Sequence, residues 1–217
     1  MKQLKLIALT ALTILAVSGT VAATANAANP EFLGELPRQF TTAGLGSSFF
    51  KLAGHALVVE CGPSEGTGEL INNKNATFDE LFLNCKSTAL GVKVKCTGLN
   101  DTITGSILAK GTSTLGYELG TTNVLSLLTI SPEIHFECSS LLVVVKGCFA
   151  GKTTPRNIET KEGKIVGNSP PIEDYTTDTG ATAPCVLLGS ENSKAFTLAT
   201  EQVTTDLTFA KLIEIMA

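Results

Sequence analysis

Apolar and polar residues alternate with a period of two along much of this chain, the rhythm of strands, whose successive side chains point to opposite faces. Val92, Val94 and Cys96 alternate with Lys93, Lys95 and Thr97. Ile134, Phe136 and Cys138 alternate with Glu133, His135 and Glu137, and Val203, Thr205, Leu207 and Phe209 with Thr204, Asp206 and Thr208. Further strands are expected over 55–61, 78–85, 102–109, 124–130 and 141–149. The stretch 141–145 is apolar in both phases, which predicts a central strand covered on each face. After residue 27 no long apolar pattern of helical period persists, and glycines and threonines punctuate the runs. Short strands at spacings of roughly 8 to 12 residues predict an all-β fold, an antiparallel β-sandwich or barrel.

Between residues 151 and 184 the alternation lapses into Pro, Gly, Thr and charge, with Pro155, Pro170, Pro171 and Pro184 interrupting any regular ladder. The expectation there is a long loop excursion with a short hairpin around 164–166. Long loops of compact domains often carry function, so a recognition surface is expected first on this segment.

The N-terminus reads as a signal peptide in three parts: Lys2 and Lys5, an apolar run over 6–17, then small residues up to Ala25-Asn26-Ala27. The run is too short to span a bilayer, which takes about 20 apolar residues. Cleavage after Ala27 is expected to leave a single secreted domain over 28–217, with no membrane span and no cysteine at its start to take a lipid. Losing Lys2 and Lys5 takes the 16 basic residues to 14 against 20 acidic ones, so the net charge moves from −4 to −6. Nucleic acid is excluded as a partner on this reading, since phosphate tracking needs clustered Lys and Arg. Arg38 and Arg156 are the only arginines, and Lys86, Lys93 and Lys95 form only a small basic group.

All six cysteines, Cys61, Cys85, Cys96, Cys138, Cys148 and Cys185, follow the signal. An even count in an exported chain predicts disulfides. Cys85 and Cys96 flank a turn-like centre at 87–91, and Cys138 and Cys148 likewise sit at the ends of two strand patterns. Hairpin neighbours bring cysteine β-carbons close, so the expected pairs are Cys85 with Cys96 and Cys138 with Cys148, leaving Cys61 to close on Cys185. Zinc fails on spacing, because no close pair of cysteines exists and only two histidines could complete a mixed site.

Other candidate chemistry reads as structure. Gly151-Lys152-Thr153 ends like a phosphate loop, but Gly147 lies one position too close and no helix follows. Glu133, His135 and Glu137 share one strand face, yet alternate positions spread them over about 13 Å, too far to embrace one ion unaided. His55 heads an expected strand. Glu173, Asp174 and Asp178 make an acidic loop without the alternating oxygen ligands of a calcium site. No nucleophile elbow is present. Dispersed carboxylates could still serve a hydrolase, because two distant acids need no local motif. The lack of Trp, with Tyr117 and Tyr175 the only tyrosines, argues against sugar platforms.

Several stretches resemble those of uncharacterised exported, cysteine-containing β-rich proteins of actinobacteria. They are LVVECGPSEGTGEL (57–70), FLNC to KCTG (82–98), STLGYELG (113–120), FECSSLLVVVKGCFAG (136–151) and LTFAKLIEI (207–215). The resemblance implies export and a shared β scaffold, and carries no activity, substrate or catalytic residue. The functional expectation is a noncatalytic, extracellular or envelope-associated β module that binds an unidentified ligand or contributes structure, with no cofactor. A secreted hydrolase is the alternative.

Overall fold

The computed structural model describes residues 30–89, 92–169, 172–176 and 182–217. The expected leader lies outside the described residues. The chain forms β1 (Glu31–Leu33), β2 (Arg38–Gly44), β3 (Ser48–Leu52), β4 (Val58–Cys61) and β5 (Ser64–Leu70). Then come β6 (Asn75–Phe82), β7 (Lys86–Ala89), β8 (Val92–Gly98), β9 (Ile107–Glu118) and β10 (Val124–Cys138). The order closes with β11 (Leu141–Thr154), β12 (Thr160–Ser169), β13 (Ile172–Thr176), β14 (Thr182–Glu191) and β15 (Thr197–Met216). No helix occurs among the described residues, and the fold is the antiparallel all-β architecture that the alternation predicts.

The sheet is large and is not a simple barrel of uniform strands. At one end, pairings run β15–β2–β5–β6–β9–β10–β11–β12 and return to β15. At the other end they run β15–β3–β4–β7–β8–β10–β11–β14 and again return to β15. Long strands β10, β11 and β15 belong to both rings, and the remaining staves are broken in the middle, as where β4 gives way to β5 and β6 to β7. Across two of these breaks the inward residues change parity. Val59 and Cys61 are buried before Gly62-Pro63 and Ser64 and Leu70 after it; Glu80 is buried before Leu83-Asn84 and Cys85 and Ser87 after. A one-residue slip exchanges the faces of a strand, so each break restores the apolar set to the interior. The break residues bond each other, Gly62 N donating to the Leu83 carbonyl at 2.7 Å and Leu83 N to the Pro63 carbonyl at 3.2 Å.

Each ring encloses an apolar lobe. One gathers Leu52, Val59, Phe136, Val143, Phe149 and Leu187; the other gathers Phe40, Leu70, Leu115, Phe209 and Ile213. Val143, Val144 and Val145 are all buried in the strand between β10 and β14, as expected for a central strand. The outer faces of β2, β5, β6 and β15 are polar, with Gln39, Thr41, Glu65, Thr67, Asp79 and Gln202 outward. A lipid-facing barrel needs the opposite arrangement.

The segment expected as a loop over 151–184 instead holds the end of β11, β12, β13 and the start of β14. Its strands escape the alternation rule because β12 turns Gly163, Ile165 and Gly167 toward the interior. A Cβ at Gly167 would collide with the Phe149 ring, and one at Gly163 would press on Phe209 at 3.3 Å. The neighbouring strands supply the bulk and β12 supplies the room, a small-against-large fit common inside small barrels. β13 and the first half of β14 form an outer arm, whose Tyr175 and Cys185 cover Leu125, Leu127 and Ala150 on the outside of β10 and β11.

All six cysteines are bonded, in pairs other than those expected: Cys61–Cys85, Cys96–Cys138 and Cys148–Cys185. Cys85 does lie beside Cys96, as a hairpin requires, and Cys96 N donates to the Cys85 carbonyl at 3.0 Å. The same register continues on both sides. Val59 opposite Ser87 and Cys138 opposite Cys96 put Cys61, Cys85, Cys96 and Cys138 in one row across β4, the start of β7, β8 and β10. Bonding the middle two would strand the outer two, whereas two outer bonds satisfy all four. Cys138 and Cys148 cannot meet: β10 and β11 set Cys138 opposite Leu141 and Cys148 opposite Thr129.

Candidate ligand-binding site

The interior holds a cavity of about 140 Å³. Hydrocarbon dominates its wall, with Phe50, Phe78, Phe82, Leu128, Ile130 and Phe136 among the lining. Into this lining two carboxylates project, Glu80 from β6 and Glu201 from β15. They are the only ionisable side chains among the described lining residues; Cys61, also in the wall, is bonded.

Register explains the seat of Glu80. Thr42 on β2 is opposite Gly66 on β5, and Gly66 is opposite Glu80 on β6. Lacking a side chain, Gly66 lets the Glu80 carboxylate lie across β5; a Cβ there would stand 2.6 Å from Glu80 Oε2 and 2.6 Å from Thr42 Oγ1. The Thr42 hydroxyl donates to Glu80 Oε2 and the Ser64 hydroxyl to Oε1. Burial raises the Glu80 pKa above the ordinary carboxylate value, and the two hydroxyls pull it partly back.

Glu201 has no such support. Its pKa is pushed up to about 7, by burial first and by the negative charge of Glu80 second, with no hydrogen-bond contribution. Also in the lining, Ser126 Oγ and Thr153 Oγ1 satisfy each other at 2.7 Å. Arg38, the inward-facing cation of β2, is outside the lining and gives Nη1 to the Leu212 carbonyl. The described lining offers these two acids no cationic side chain.

Candidates from the sequence lie elsewhere. His55 follows β3 in a turn and contacts Glu191, Nδ1 to Oε2 at 2.8 Å, outside the cavity lining. Glu133 sits near Lys146 at 3.1 Å and His135 at 3.7 Å, an ion-pair group on the exposed side of β10. Residues 147–153 are extended strand in β11, so nothing there cradles a phosphate. Asp178 lies outside the described residues. Among the described residues no three His, Cys, Asp or Glu side chains are placed to hold a metal.

Glu80 and Glu201 escaped sequence reasoning, although a signal was present. Ala76, Phe78, Glu80 and Phe82 share one strand phase, as do Glu201, Val203, Thr205, Leu207 and Phe209. An acid in the apolar phase is the mark of a buried charge.

Comparison with family models, curated proteins and solved structures found no match.

Proposed function

We propose that this chain is an exported, disulfide-braced, noncatalytic β module that carries a small, largely apolar molecule inside its double-ringed sheet. One observation carries the reading: a cavity of about 140 Å³ walled by aromatic and aliphatic side chains. A dry cavity of comparable size, about 150 Å³, is enough to take up benzene. Few convergent polar groups in an apolar pocket is also the usual composition of a small-molecule site. Export is supported by the leader pattern at 1–27 and by three disulfides, which persist in oxidising compartments. The resemblance to exported actinobacterial proteins belongs to the same proposal.

Calorimetric titration of the oxidised protein with propylbenzene is expected to give saturable binding at one site. Filling the cavity from β9 with Ala109→Phe is expected to weaken that binding by about tenfold or more while the far-ultraviolet spectrum is kept. No heat of binding to folded wild-type protein contradicts the proposal.

A hydrolase is the second reading, and one finding favours it: two acids share a cavity, one with a pKa near neutrality, where a general acid works best. It predicts turnover of a small ester or glycoside that Glu80→Gln abolishes. The apolar wall weighs against it, because it offers little to orient a sugar or peptide.

A further inference from the structure

We propose that the ligand of this cavity is an amine, a small arylalkyl- or alkylammonium ion whose charged end sits between Glu80 and Glu201 and whose hydrocarbon body fills the apolar wall. The inference rests on the carrier reading and narrows it to a chemical class.

Both acids have unmet partners. Each Glu80 oxygen accepts one hydroxyl hydrogen, from Ser64 or Thr42, and keeps a second acceptor site free. Glu201 shares the lining and accepts from no described residue. No Lys, Arg or His stands in the described lining to neutralise either acid. A buried charge without a partner is costly, and it is met by a proton or by a counter-ion. An ammonium group brings three donors and one positive charge, which suits two carboxyls in one lining. A carboxylate or phosphate ligand would add a third negative charge to the same space. A neutral hydrocarbon would gain the apolar wall alone.

Three probes of nearly one shape separate these cases at pH 8: propylbenzene, 2-phenylethylamine and 3-phenylpropionate, each titrated into the oxidised protein. The amine is expected to bind about tenfold or more tighter than propylbenzene, and the carboxylate not measurably. Glu201→Gln is expected to bring the amine within about threefold of propylbenzene bound by the same variant. Glu80→Gln, read the same way, serves if the first variant does not fold. Propylbenzene binding as tightly as the amine overturns the inference and leaves the carrier reading standing. Selectivity that survives both substitutions also overturns it. If none of the three probes binds, the carrier reading falls together with the inference.

Discussion

Among single residues, Glu201 is where folding and function pull against each other. In the folded chain its carboxyl titrates near 7, whereas its ordinary value is 4.5. The folded state therefore holds a proton that the unfolded state has released, and stability falls as pH rises from about 4.5 to about 7, then levels. The loss is on the order of 3 kcal/mol, because each tenfold gain in proton affinity is worth about 1.4 kcal/mol. Glu80 is perturbed in the same direction and steepens the trend. Thermal unfolding followed from pH 5 to pH 8 is expected to show a falling Tm, and Glu201→Gln is expected to flatten the fall and raise Tm at pH 8 by about 6–12 °C. A Tm that rises with pH over that range would contradict the buried-acid account. The sequence did hold the clue, since Glu80 and Glu201 stand in phase with Phe78, Phe82, Val203 and Leu207. Alternation marks a strand by its apolar phase, and an acid within that phase reads locally as a break in the pattern. That it faces a cavity depends on strands far away in the chain.

Among the strands, those whose bulk faces inward were readable, and those whose room faces inward were not. Val94 and Cys96 announce β8, though Val92 at its start is exposed, and Ile134, Phe136 and Cys138 announce the far half of β10. β12 turns Gly163 and Gly167 inward under rings supplied by Phe209 and Phe149, so its own letters carry no apolar rhythm. Disulfide partners were legible only as far as local register. Hairpin β7–β8 fixes Cys85 beside Cys96, but which neighbour each bonds depends on β4 and β10, brought alongside by the closing of a ring. Cys148–Cys185 stands apart from that row and ties the outer arm to β11. Replacing both cysteines with serine is expected to cost about 3–4 kcal/mol, from the loop of 37 residues that the bond closes. Hydrogen exchange should quicken first in β13 and the start of β14, while β10 and β11 remain protected. Uniform loss of protection across the sheet would show that the bond braces the rings rather than the arm.

For the molecule as a whole, two rings that share β10, β11 and β15 make a continuous wall around an apolar interior, with polar outer faces on β2, β5, β6 and β15. All-β class and antiparallel pairing followed from period-two alternation. Closure did not, because it depends on β15 meeting β2 and β3 from the far end of the chain. The cavity exists only because of that closure, so no local motif could have declared it. If this interior receives the ligand, a methyl-resolved NMR titration of the oxidised protein with propylbenzene will show it. Saturable shifts confined to interior methyls such as Leu128, Ile130 and Val203 are predicted. Shifts confined to exposed methyls such as Leu45, Val92 and Leu212, or no saturable shift at all, would contradict it.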